Sequence, residues 1–142
     1  MIRLPNWQSS LERFFLAHAA DRFVYGSWDC CLFVCSAIEA MTGIDTAVAF
    51  RGNYRTRAEA MNAVRAFAGT ASIRALAHKV TAEYGMRAVP LPLVRRGDLV
   101  LFKRPRGYSL GILSLNGIDV TALGAKGYFQ VPLRAAQSGW RV

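Results

Sequence analysis

The sequence predicts an α+β fold, in which helices in the first part of the chain are followed by an antiparallel β-sheet. Up to Gly85 the apolar residues recur at helical spacing, between capping residues and glycines. Beyond Gly85 short apolar runs separated by turn residues replace that spacing. Helices that precede strands, rather than alternate with them, are typical of α+β proteins. The length of 142 residues suits one domain, which we expect to span residues 1–142.

Four helices are expected, each beginning at a residue that can cap it. Ser9 and Glu12 have the spacing of a capping box, and so do Thr56 and Glu59. Asp29 can accept hydrogen bonds from the first turn of the next helix, which places Cys30 at that helix N-terminus. The predicted helices cover residues 9–20, 30–42, 56–67 and 72–84.

The second half of the chain predicts a meander of short strands. Asn116-Gly117 is a strong signal for a hairpin turn between two of them. The predicted strands cover residues 99–102, 110–115, 118–121 and 128–133, with a short further strand at 140–142.

The charge balance is strongly basic. Eighteen basic residues face nine acidic ones, giving a net charge of +9, and fifteen of the basic residues are arginine. Such a surface favours an acidic or polyanionic partner, although solvated arginines explain it equally well. Aromatic residues do not interleave with the basic ones, so nucleic acid is not the partner we expect. A polyanion-binding module remains an alternative function.

The three cysteines, Cys30, Cys31 and Cys35, cannot form a disulfide framework, which predicts synthesis in a reducing compartment. The sequence starts without the apolar region of a signal peptide and has no run long enough to span a membrane. Metal sites usually need four such ligands, so we expect neither a metal nor another cofactor, and Cys31 and Cys35 are interpreted as core residues.

Cys30 is the candidate nucleophile. A thiol at a helix N-terminus feels the positive end of the helix dipole, which favours its thiolate form. Asp29 beside it is interpreted as the helix N-cap. Only two imidazoles exist in the chain, at His18 and His78, and His18 is the better placed to assist Cys30 because a short loop joins their helices.

Two stretches resemble the NlpC-type branch of the papain-like cysteine peptidases, which cleave peptide bonds in bacterial cell walls. Residues 25–30 (Tyr-Gly-Ser-Trp-Asp-Cys) resemble the nucleophile motif, and residues 97–102 (Gly-Asp-Leu-Val-Leu-Phe) resemble the family's first strand. The family then has His-Val-Gly-Ile, where this chain reads Ser-Leu-Gly-Ile. The resemblance therefore implies that Ser109 replaces the catalytic histidine and that Thr121 falls near the third polar position of the site.

The chain is also similar to small NlpC-like proteins encoded among phage tail genes, in its size, in Trp28-Asp29-Cys30 and in Arg51-Gly52-Asn53-Tyr54. This resemblance implies a structural protein of the virion tail tip, made in the host cytoplasm, with hub and tip subunits as partners and without peptidase activity. The alternative is an active peptidoglycan amidase or endopeptidase that uses Cys30 as its nucleophile.

Overall fold

The computed structural model describes residues 1–142 and confirms the α+β class, with four α-helices followed by a six-stranded antiparallel sheet. The helices are α1 (Trp7–Ala17), α2 (Cys30–Thr42), α3 (Arg57–Ala68) and α4 (Ile73–Glu83). The strands are β1 (Arg87–Val89), β2 (Leu99–Arg104), β3 (Gly107–Leu113), β4 (Asp119–Gly124), β5 (Gly127–Pro132) and β6 (Ala136–Arg141). Two short 3-10 helices cover Leu91–Leu93 and Leu133–Ala135.

The ends of α2, α3 and α4 follow the sequence signals closely. Asp29, Thr56 and Ser72 each cap a helix by accepting hydrogen bonds from backbone amides of its first turn. Gly43 and Gly69 end α2 and α3 in the left-handed conformation that glycine adopts without strain. None of the four helices combines the length and the apolar character that crossing a bilayer requires.

The start of α1 differs from the prediction. The helix begins at Trp7 rather than at Ser9 and ends at Ala17 rather than at residue 20. Ser9 is the third residue of the helix and Asn6 holds the N-cap position, so Ser9 cannot act as the cap. A tertiary contact sets the earlier start, because the Leu4 amide donates to the Met41 carbonyl of α2 at 2.8 Å.

The strand order is β1-β6-β2-β3-β4-β5, so only β2 to β5 form the expected meander. β1 was not predicted as a strand, and β6 begins at Ala136 rather than at Trp140. β6 lies between β1 and β2, pairing antiparallel with both. The sequence pattern does not reveal the full length of β6, because Ser138 and Gly139 interrupt the apolar pattern. Gly139 is required there, since a Cβ atom would lie 2.5 Å from the Val94 side chain.

Both faces of the sheet are buried, but by different elements. On one face Leu101, Leu110 and Ile112 pack against α1 and α2 in the larger core cluster. On the other face Phe102 and Val120 pack in a smaller cluster, which the two 3-10 helices help to cover. A side chain on β2 or β3 therefore points either towards α2 or away from it, according to the alternation of the strand.

A buried carboxylate fastens the beginning of β2. Asp98 is fully buried and accepts from Arg3 Nη2 at 2.5 Å and from Arg141 Nε at 3.0 Å. It also accepts from the Arg95 amide at 2.8 Å. Asp98, Arg3 and Arg141 are called the Asp98 network below. The network ties the N-terminal segment and β6 to the start of β2, and the Arg3 side chain continues it to the Val142 carbonyl.

Candidate functional site

The N-terminus of α2 is built around the carboxylate of Asp29. Asp29 has extended backbone angles, φ −117° and ψ 179°, and its Oδ1 accepts from the amides of Cys31 at 3.1 Å and Leu32 at 3.0 Å. The cap predicted at Asp29 is therefore present. It makes Cys30 the first helical residue, with its thiol at the positive end of the helix dipole.

The other oxygen of Asp29 holds the two loops that flank the site. Oδ2 accepts from the Gly26 amide at 3.0 Å and from the Tyr54 hydroxyl at 2.6 Å. Gly26 has φ +85°, and a Cβ atom there would lie 1.8 Å from the Tyr54 carbonyl oxygen, so only glycine fits. Burial, followed by this bond to Asp29, raises the pKa of Tyr54, which keeps the phenol protonated as the donor.

The three thiols have different electrostatic surroundings. Cys31 Sγ lies 4.0 Å from Cys30 Sγ, and its hydrogen bond lowers the pKa of Cys30, against the opposing effects of burial and of the Asp29 charge. The same bond and burial raise the pKa of Cys31, and burial raises the pKa of Cys35 to about 11. Cys30 is thus the thiol that ionises most readily, while Cys31 and Cys35 stay protonated at neutral pH.

The sheet does not bring Ser109 to Cys30. Ser109 pairs with Phe102 on β2, and Phe102 belongs to the core on the face away from α2. The neighbouring residues Tyr108 and Leu110 point to the α2 face and share a cavity with Cys30. An imidazole in place of Ser109 would therefore project from the opposite side of the sheet.

Thr121 lies on the α2 face but in a separate groove beside α1. Its Oγ1 is 2.6 Å from Ser114 Oγ, and Gln130 Nε2 donates to it at 3.4 Å. The groove is lined in part by Glu12 and Phe15 of α1, and Cys30 does not reach it. Thr121 is therefore part of a local hydrogen-bond network that joins β4 to β5 and to Ser114 after β3, and it is not a neighbour of the thiol.

Neither histidine lines the cavity that contains Cys30. The His18 ring stacks on Trp28 at a centroid distance of 4.5 Å, and its Nδ1 lies 2.5 Å from Asp21 Oδ2. His78 packs edge-on against Trp140 at 5.3 Å. The cavity that Cys30 lines consequently has Tyr108 and many apolar side chains on its wall but no imidazole.

The dominant feature beside Cys30 is an apolar cavity of about 470 Å³, enclosed by α2, α3, α4 and the β2–β3 hairpin. Hydrophobic residues make up 22 of its 28 lining residues, and Cys30, Cys31 and Cys35 all contribute to the wall. Arg57 and Arg106 are the two cationic residues on the wall, and both are solvent-exposed. The volume lies in the range of small-molecule sites.

A metal ion would find a poor set of ligands here. Oxygen and sulfur atoms of Asp29, Cys30 and Cys31 lie within 4.8 Å of one another. However, both Asp29 oxygens already accept two hydrogen bonds each, and structural zinc usually takes four protein ligands. These three residues therefore form a capping and hydrogen-bonding cluster.

Sequence reasoning identified Asp29 and Cys30 but missed Tyr54, Tyr108 and the arginines of the cavity wall. Tyr54 lies in the segment 51–54, whose likeness to tail-encoded proteins assigned it no role in the site, and its bond to Asp29 spans 25 residues. Tyr108 directly precedes Ser109, and only the strand register reveals which of the two faces Cys30. The available signal was the alternation of β3, once its pairing with β2 is fixed.

A family model described as "Domain of unknown function (DUF6950)" matches residues 2–142. The match covers nearly the whole chain, so the protein belongs to this family. No curated protein sequence matches it.

Proposed function

We propose that this member of the DUF6950 family is a structural subunit of a phage tail, at the tail tip, built on an NlpC-like fold without peptidase activity. The motifs at residues 25–30 and 97–102 support the NlpC-like part of the proposal. The tail location and the hub and tip subunits as partners rest on the likeness to small tail-encoded proteins.

The proposed loss of peptidase activity is supported by one observation: the wall of the Cys30 cavity contains no imidazole. A cysteine peptidase needs a base that activates the thiol and an acid that protonates the leaving amine. General acid–base catalysis contributes a factor of about 10²–10⁴ in rate. The Asp29 carboxylate cannot replace the histidine, because its four hydrogen bonds occupy it and its charge disfavours a neighbouring thiolate.

A peptidoglycan digestion assay tests the loss of activity. The wild-type chain and the Cys30→Ala variant are expected to release the same background amount of muropeptides, with Cys31→Ala as the matched control. Ser109→His is expected to remain at background too, because its imidazole would face away from α2. Release by the wild type that Cys30→Ala abolishes would contradict the proposal.

The structural role is tested separately on phage particles. A tagged chain expressed during assembly is expected to remain with tails through density-gradient purification, at a fixed ratio to the tail-tip proteins. Infectious tails that form normally without this chain would rule out the structural role.

An active cell-wall peptidase is the second candidate, favoured by the lowered pKa of Cys30. It would require a base supplied by the substrate or by another subunit. In that case Cys30→Ala should abolish cleavage only when the chain is assembled in the tail, so the digestion assay is repeated on purified tails.

A further inference from the structure

We infer that the cavity beside Cys30 is a binding site for a single-chain fatty acid, whose alkyl chain fills the cavity and whose carboxylate meets Arg57 and Arg106. This inference goes beyond the structural role proposed above and does not depend on it. It rests on the volume, lining and charge of the cavity.

The cavity has the dimensions and chemistry of a site for one hydrocarbon chain. Its volume of about 470 Å³ lies in the range of sites that bind one small organic molecule. A cavity of this size suits one alkyl chain. Its wall is aliphatic and aromatic, with contributions from Ile38, Val64, Leu76 and Val80. Each methylene group that leaves water for such a wall gains about 0.8 kcal/mol.

The polar groups on the cavity wall do not disfavour a bound alkyl chain. The Asp29 carboxylate and the Tyr54 hydroxyl bind each other. The pKa values of Cys31 and Cys35 are raised, so both thiols are neutral and behave as small apolar groups. Thr46 Oγ1 is the one buried polar side-chain atom of the wall without a hydrogen-bond partner.

The charges around the cavity favour an anionic head group. Arg57 and Arg106 come from different elements, the first turn of α3 and the β2–β3 turn, and neither takes part in any of the salt bridges of the chain. A cation at a helix N-terminus opposes the helix dipole, so Arg57 gains nothing there from α3 itself. A carboxylate bound beside it would pair with both the guanidinium and the positive end of the helix.

The dipoles of two other helices add to this preference. Cys30 and Cys31 form the N-terminus of α2, and Ile73 begins α4; all three residues line the cavity. The N-terminal residues of three helices, each of 11 to 13 residues, therefore lie on the wall of the same cavity. Asp29 is the one acidic residue on the wall, and it is satisfied by neutral donors within the protein.

Calorimetric titration with laurate, below its micelle concentration, tests the site. Laurate is expected to bind saturably, one molecule per chain. Dodecyltrimethylammonium, which has a tail of the same length and a cationic head, is expected to bind about tenfold or more weakly. Butyrate, which keeps the head and lacks most of the tail, should show no saturable binding. Vesicles of phosphatidylglycerol distinguish a free fatty acid from a membrane lipid at a salt concentration that screens the net charge of +9, because the protein should not pellet with them under that condition.

Two pairs of variants locate the bound molecule. Arg57→Gln/Arg106→Gln is expected to lower the affinity for laurate about tenfold. The affinity for dodecyltrimethylammonium should not fall. The matched control, Arg87→Gln/Arg134→Gln, removes the same charge from exposed positions outside the cavity and should bind laurate normally. Ala60→Phe fills the cavity from α3 and should abolish binding, whereas Ala58→Phe on the exposed side of α3 should not.

A chemical readout needs no variant. Saturating laurate should slow alkylation of Cys30 several-fold in the wild-type chain, because the thiol lies on the cavity wall. The inference is overturned if laurate does not bind below micelle concentration, or if it binds no better than dodecyltrimethylammonium. It is also overturned if a folded Ala60→Phe chain, with an unchanged circular dichroism spectrum, binds laurate like the wild type, or if Cys30 alkylation is unaffected.

Discussion

Two buried aspartates, Asp29 and Asp98, each hold the beginning of a structural element, but they are stabilised by different partners. Asp98 is fully buried and lies between the guanidinium groups of Arg3 and Arg141. Asp29 is 3% exposed and accepts only from neutral donors, which are three amides and the Tyr54 hydroxyl. The Asp98 network places two positive charges beside one negative charge, whereas the Asp29 site keeps a negative charge next to a thiol.

This difference separates a purely structural carboxylate from one that also sets the chemistry of its neighbour. The Asp29 charge raises the pKa of Cys30 and so works against the hydrogen bond from Cys31. A site selected for a thiolate nucleophile would gain from a cation at this position. The arrangement instead favours a rigid loop and a well-capped helix.

The largest effect is expected from removing the charge-paired aspartate. Asp98→Ala leaves Arg3 and Arg141 without their partner, and breaking a buried ion pair costs about 3–5 kcal/mol. Urea unfolding followed by circular dichroism measures the loss. Asp119→Ala is the control, since Asp119 is half-buried at the start of β4 and its carboxylate accepts from the nearby Asn116 side chain, and it should cost less than about 1 kcal/mol. Equal losses in the two variants would mean that the Asp98 network contributes little to stability.

Asp29→Ala is expected to cost less, about 2–3 kcal/mol, because the donors that it leaves unpaired are neutral. The loss combines a missing helix cap with an unsatisfied Tyr54 hydroxyl. Tyr54→Phe, which removes one of the four donors, should cost about 1 kcal/mol in the same unfolding experiment. A loss for Asp29→Ala that exceeds the loss for Asp98→Ala would reverse the comparison.

Alkaline pH should distinguish the two regions, because only the Asp29 region contains buried thiols. Burial raises the pKa of Cys35 from 9.0 to about 11, so folding favours the protonated thiol. Its contribution to stability is complete below pH 9 and is lost as the pH rises towards 11, at up to about 1.4 kcal/mol per pH unit.

The Cys35→Ala chain should therefore lose less free energy of unfolding than the wild type over this pH range, as measured by urea unfolding at successive pH values. Ser36→Ala on the same helix is the control, because it removes no ionisable group. If the free energy of unfolding falls equally with pH in Cys35→Ala and in the wild type, Cys35 ionises as easily in the folded chain as in the unfolded one.

The smallest effect is expected on the pKa of Cys30, and each variant should change this pKa in a defined direction. Asp29→Asn removes the neighbouring charge and should lower the pKa of Cys30, whereas Asp98→Asn should leave it unchanged. Cys31→Ala removes the hydrogen bond and should raise it. Alkylation rates against pH, resolved for each cysteine by fragment-ion mass spectrometry, provide the measurement. A higher pKa of Cys30 in Asp29→Asn would contradict the role assigned to the carboxylate.

The helices were largely predictable, because their boundaries depend on nearby residues. Asp29, Thr56 and Ser72 form their caps within three residues of the chain, and such contacts leave a pattern in the sequence. α1 is the exception that supports this explanation. The bond between Leu4 and Met41 moves its start, and it joins residues far apart in sequence.

The candidate site was less predictable, because it depends on register and on long-range contacts. The Cys30 motif was visible, but the direction of Ser109 depends on the pairing of Phe102 with it across β2 and β3. A shift of one residue would turn Ser109 towards α2. The cavity is assembled from three helices and a hairpin, and no local pattern describes its volume or its two arginines.

The position of β6 has a consequence for biosynthesis. β6 alone connects β1 with β2, so β1 has no partner strand until residues 136–141 have left the ribosome. During translation α1 to α4 can form from local contacts, but the sheet stays incomplete until that strand has emerged. The nascent protein is thus a helical half joined to an unfinished sheet until residues 136–141 have emerged.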